Sequence, residues 1–211
     1  MKKDILNFLI KSMLAGIMIG LGGTIYLSLD NKVIGSLLFA IGLFMICVRG
    51  YNLYTGKVGY IFNNKPKYLI EVLVTIVGNF IGTFLLGFLL KFTRIYEALN
   101  TKASILCDIK LNDSIISILL LSCFCGMIMY LAVDGYKEGK DNFSKYASIF
   151  LGIMVFILCG FEHSIANMYY FAVANVYNAK VFGYLGLMIL GNGIGGVFIP
   201  LMYKLKDYLQ K

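Results

Sequence analysis

The chain has 211 residues, of which 59% are apolar and only 14% charged, with a formal net charge of +8. A soluble domain of this size needs far more polar surface, so the composition excludes one and predicts a single transmembrane domain over residues 1–211. The lysines are spread over short loops between apolar runs, a pattern that reads as membrane topology and not as a nucleic-acid surface.

Met1-Lys2-Lys3 is basic, but the apolar run after Lys11 is too long for the core of a cleavable signal and lacks a cleavage site. About 18 apolar residues at 1.5 Å each cross the hydrocarbon of a bilayer, which gives a first crossing over 12–29 with Gly16, Gly20 and Gly23 on one face. The second crossing, 33–48, runs into Val48-Arg49-Gly50-Tyr51-Asn52, where a break is predicted, and a short segment follows over 54–62. Thr55 lies at its start, where a hydroxyl either caps free amides or meets an anion at a positive helix end. The third crossing, 69–90, carries Gly78-Asn79-Phe80-Ile81-Gly82. A polar stretch with Lys110 near its end leads to a fourth crossing over 114–133. The fifth, 146–160, ends in Leu158-Cys159-Gly160-Phe161-Glu162, again a predicted break, followed by a short segment over 164–177. The sixth, 181–203, carries Gly191-Asn192-Gly193-Ile194-Gly195. Runs this long, rich in Gly, Ala and Leu, are helices and not barrel strands.

Two pieces of the chain therefore occur twice. Gly50 and Gly160 are 110 residues apart, and Gly78 and Gly191 are 113 apart. Two similar apolar halves, about 12–90 and 114–203, each with one broken helix, form an inverted repeat in which the breaks meet near mid-membrane and line a path. The expected fold is an all-α bundle of six transmembrane helices in two inverted three-helix repeats.

With the N-terminus, 57–67, 134–145 and the C-terminus on one side, that side holds twelve lysines, and the other holds five lysines and Arg94. The positive-inside rule puts both termini in the cytoplasm of a multi-pass protein of the cell inner (plasma) membrane, with lipid as its surroundings. Arg49 sits at a break and is not counted. The five cysteines offer no disulfide framework, and with one histidine there is no metal-ligand cluster, so neither metal nor cofactor is expected. Gly191-x-Gly193-x-x-Gly196 matches a dinucleotide fingerprint on paper, but no strand precedes it.

His163 is the only histidine and directly follows the second break. A titratable group at membrane depth is a candidate functional residue, and an ordinary pKa near 6.5 lets histidine exchange protons near neutral pH. The alternative is a histidine that only bonds a loop carbonyl. Glu162, beside it, would repel anions if it faced the path, so it is expected to face away and brace the loop. Asn167 can satisfy backbone groups freed by the break. Of the matched amides, Asn79 is read as a tie between helices and Asn192 as a contact for solute or His163. Lys110 either draws anions to a vestibule or is a plain loop lysine.

Gly160-Phe161-Glu162-His163-Ser164-Ile165-Ala166-Asn167-Met168 resembles the signature of the formate/nitrite transporter family, as do Leu53-Tyr54-Thr55-Gly56 and Gly191-Asn192-x-x-Gly195-Gly196. The resemblance runs from Ala15-Gly16 to the last span. It implies an aquaporin-like fold, a homopentamer with one pore per subunit, and passage of small monovalent anions such as formate, nitrite or hydrosulfide. His163, Thr55 and Asn192 match the family's pore residues, and Lys110 stands where members carry a vestibule lysine. The chain departs from the family at Tyr51-Asn52, commonly Gly-Glu, and at Gly126, commonly Asn. The leading reading is an anion channel or transporter with proton exchange at His163. A neutral-solute pore of the same fold, for water or ammonia, is the alternative. An enzyme is not expected, because one histidine without a nucleophile or metal is too little.

Overall fold

The structure, a computed structural model, describes residues 2–210. Among them every regular element is helical: α1 (Lys2–Ser28), α2 (Lys32–Phe39), α3 (Ile41–Arg49), α4 (Tyr54–Lys57) with a 3-10 stretch over Val58–Asn63, α5 (Tyr68–Leu90), α6 (Tyr96–Leu111), α7 (Ile115–Glu138), α8 (Asn142–Leu158), α9 (Ser164–Ala174) and α10 (Ala179–Leu209). Five stretches are long and apolar enough to cross a membrane: 5–28, 32–49, 68–90, 115–138 and 179–209. The sixth crossing is α8, 17 residues long, continued past its break by α9. α2 and α3 form one crossing, because the Phe44 N–H still donates to the Ala40 carbonyl across the kink.

The most extensive pairs are α1 against α5 in the first half and α7 against α10 in the second, and α5 against α9 and α2 against α8 join the halves. Small residues let these backbones meet. A Cβ at Gly16 would collide with the backbone of Asn79, and one at Gly126 with the backbone of Asn192. At Gly82 and Gly195 it would run into the carbonyls of Met13 and Cys123. The family's usual Asn therefore has no room at Gly126. We predict that Gly195→Ala lowers stability by roughly 1–3 kcal/mol, the cost of overpacking a tight contact. Gly183→Ala, where nothing lies within 4 Å in the protomer, is the control. Thermal unfolding in mild detergent measures both, and equal midpoints would contradict the packing account.

One element was not anticipated. α6 lies in the polar stretch between the third and fourth crossings and packs along α9, burying Leu99, Ala103 and Cys107. Its last turn carries Lys110, which it delivers to the second break.

Candidate functional site: two breaks and the residues that hold them

Each break begins with a glycine in the left-handed region, Gly50 at φ 63° and Gly160 at φ 69°. Glycine alone adopts this without a Cβ penalty, which is how the helix can end inside the bundle. The Tyr51 N–H then turns back to the Ile46 carbonyl at 2.9 Å, and the Phe161 N–H to that of Phe156 at 2.8 Å. A few extended residues follow before a new helix starts at Tyr54 or Ser164.

An extended segment between helices frees backbone donors and acceptors that have no water to meet, so side chains must satisfy them. In the first half Asn79 does this. Its Oδ1 accepts from the Tyr54 N–H at 2.9 Å, and its Nδ2 donates to the carbonyls of Ser12 and Asn52, both at 2.8 Å. In the second half Asn192 repeats the set. Its Oδ1 accepts from the Ser164 N–H at 2.8 Å, and its Nδ2 donates to the carbonyls of Ser122 and Glu162, both at 2.8 Å. Ser12 and Ser122, Asn52 and Glu162, and Tyr54 and Ser164 are each 110 apart, so the hydrogen bonds obey the same repeat as the sequence. Here the structure differs from the sequence expectation for Asn192. Both its amide hydrogens are spent on backbone, it is fully buried, and it is a strut like Asn79 instead of a contact for His163.

The two breaks meet through side chains. Thr55 Oγ1, at the start of the short helix in the first half, lies 3.0 Å from His163 Nε2. Both are almost wholly buried, at 1% and 2% exposure. The other ring nitrogen is engaged: Nδ1 accepts the Ala166 N–H at 3.1 Å, so His163 caps the start of α9. That bond assigns the tautomer. Nδ1 is the acceptor, the hydrogen is on Nε2, and the neutral ring presents an N–H toward Thr55. Doubly protonating the ring would set Nδ1–H against the Ala166 N–H and break the cap. The Phe156 ring lies 5.4 Å from the imidazole and walls one side. The Ser164 hydroxyl next door is the one buried side-chain oxygen without a partner among the described residues.

Glu162 directs its carboxylate away from His163 and into a buried ion pair. Lys110 Nζ lies 2.9 and 2.8 Å from its two oxygens. Asn167 donates to the same carboxylate at 2.6 Å. Asn167 therefore serves Glu162 and not the freed backbone that the sequence suggested for it. Lys110 also departs from expectation, because its charge is matched by a carboxylate at contact and does not face the path free.

Two cavities flank the Thr55–His163 pair. The one on the far side from the termini holds about 90 Å³ and is lined by His163, Lys110, Asn167, Tyr26, Tyr170 and Phe156, among others. The one on the side of the termini holds about 210 Å³, with Leu43, Leu53, Lys57, Tyr136 and Lys137 in its wall. The sequence alone does not single out Tyr26, Tyr136, Lys57, Lys137 or Phe156, and it reads Tyr170 as a packing residue near a break. One signal was available: Tyr26 and Tyr136 are also 110 apart.

A model of the formate/nitrite transporter family matches residues 1–205. The chain belongs to the formate/nitrite transporter family. It is 26% identical to a formate-nitrite transporter of Plasmodium falciparum (isolate 3D7) over 96% of its own length and 79% of that protein's. It is 25% identical to the formate channel FocB of Escherichia coli (strain K12), over 77% of this chain and 65% of that one. A solved structure described as a pentameric formate channel with formate bound superposes with a TM-score of 0.82 at 23% identity, covering 99% of both chains. The family's fold is thus shared along the whole chain. It is all-helical, with six crossings in two inverted repeats, two of them broken, as in aquaporins.

Proposed function

We propose that the protein conducts small monovalent anions, of the formate, nitrite or hydrosulfide class, through a pore in each protomer. The observation that carries this reading is the Thr55–His163 pair, a buried polar contact that joins the two breaks between two cavities. Stripping water from a small anion costs several kcal/mol or more. A neutral Nε2–H and a hydroxyl at the narrowest point return hydrogen bonds to the anion without trapping it behind a fixed charge. The Nε2–H holds the anion by a hydrogen bond and keeps its own proton; a hydronium ion from the cavity water supplies the proton that joins the anion, and the resulting neutral acid crosses apolar surface at far lower cost.

The same proposal places the protein in the plasma membrane with both termini in the cytoplasm, as the loop lysines indicate, and assembles it as a homopentamer. The pentameric solved relative supports that assembly. The test is uptake of labelled formate and nitrite into proteoliposomes, with internal pH recorded. Uptake that alters internal pH supports proton exchange, and electrogenic uptake without a pH change supports plain conduction. Water or ammonia permeation with no anion uptake would instead make this a neutral-solute pore.

Lys110 has a definite expected phenotype under this reading. Because it neutralises Glu162 at 2.8 Å, Lys110→Gln leaves a buried carboxylate beside the path. We predict a loss of anion uptake that is nearly the same at low and high salt, because buried charges are poorly screened. The double variant Lys110→Gln/Glu162→Gln should regain much of the rate. A loss confined to low ionic strength would show that Lys110 acts as a free steering charge.

A further inference from the structure

The two cavities occupy matched places in the repeat but differ in charge. On the far side the loop residue is Glu162, and the cation beside it, Lys110, is cancelled by it. On the termini side the matched loop residue is Asn52, whose Nδ2 donates to the Phe8 carbonyl at 3.2 Å and which carries no charge. Lys57 stands where the far side has Asn167, 110 residues on, and a second ammonium, Lys137, enters the same wall from α7. No carboxylate lines this cavity among the described residues.

The way the two lysines are held bears on what they do. Lys137 Nζ lies 3.7 Å from the centroid of the Tyr60 ring, and the Tyr60 hydroxyl is fixed by Asp134 at 2.9 Å. Lys57 Nζ lies 5.0 Å from the Phe8 centroid and 5.3 Å from that of Tyr68, with Glu71 at 3.8 Å the one carboxylate within 4 Å among the described residues. Glu71 is itself 43% exposed and outside the cavity wall. An aromatic face positions an ammonium without cancelling its charge or occupying its N–H donors. The two cations share one cavity wall, and like charges so placed repel, an arrangement that an anion between them would relieve.

We infer that Lys57 and Lys137 form a holding site for a small monocarboxylate in the termini-side cavity, with no equivalent on the far side. The site rests on the cavity being part of the proposed path. It makes the two entrances unequal: an anion leaving the Thr55–His163 pair toward the termini is held, whereas one leaving the other way meets a neutralised pair.

Cys47 lines the same cavity and serves as a reporter. In a Cys123→Ala/Cys159→Ser background, which removes the other cysteines that are not buried, the rates of modification by a negatively and a positively charged methanethiosulfonate reagent are compared. The anionic reagent is expected to react faster by roughly tenfold, the scale of a nearby unit charge at intermediate dielectric. Formate is expected to slow the reaction. Lys57→Gln/Lys137→Gln should abolish both effects, and Lys57→Arg/Lys137→Arg should keep both. Equal rates for the two reagents, a gap that survives the double glutamine substitution, or a rate indifferent to formate each overturn the site. The assay reads the cavity without net transport, so failed uptake and failed binding are separate results.

Discussion

Asn192→Ala is expected to be among the most destabilising single substitutions in this chain, and Asn79→Ala to match it. Each removes one carboxamide that satisfies one N–H and two carbonyls in the bundle interior. Buried groups left unpaired cost about 1–3 kcal/mol each, so the loss is on the order of several kcal/mol. Asn192→Asp is no rescue. The carboxylate keeps the bond to the Ser164 N–H, but it turns an acceptor toward the carbonyls of Ser122 and Glu162. Size-exclusion profiles and unfolding midpoints in detergent give the answer. A well-assembled Asn192→Ala protein with an unchanged midpoint but altered anion selectivity would show that Asn192 serves the solute and not the fold.

Substitutions at His163 should instead separate fold from transport. His163→Phe removes the acceptor for the Ala166 N–H and the donor facing Thr55, and it adds bulk beside Phe156. We predict a fall in uptake of at least ~100-fold, the scale of roughly 3 kcal/mol on the barrier. His163→Asn is the informative partner. Asparagine is a good N-cap, so α9 keeps its start, and its amide still offers an N–H to the path. It has no titratable nitrogen. Uptake should persist at a reduced rate, and its pH profile should change because the Nε2–H that holds the anion for its proton is replaced by an amide. An unchanged pH profile in His163→Asn would place the proton step elsewhere or remove it.

The positions of both breaks were legible because glycine followed by an aromatic and a polar residue, twice, at the end of an apolar run, leaves few alternatives. The six crossings were legible for the same reason that membrane spans usually are: length and apolarity act over 20 residues and need no partner. α6 was not. Tyr96–Leu111 is too polar to read as a span, and its buried face of Leu99, Ala103 and Cys107 has meaning only once α9 is there to cover it. The Lys110–Glu162 pair was hidden likewise, since 52 residues separate the partners and charge alone does not say which carboxylate a lysine will find. Asn192 is a different lesson. The repeat had already equated it with Asn79, and applying that equality to the role as well as the position would have identified both as struts.

The struts also bear on how the protein is made. Every side-chain bond of Asn79 goes to Ser12, Asn52 or Tyr54, and every side-chain bond of Asn192 to Ser122, Glu162 or Ser164, so each break is closed within its own half. The first 90 residues can therefore close their own break while the ribosome is still producing the rest. The Thr55–His163 contact, by contrast, joins the halves and waits for residue 163. A nascent chain in the membrane thus closes its first break before it possesses the polar pair at the centre of the path, while the Tyr54, Thr24 and Tyr60 hydroxyls still await partners from the second half.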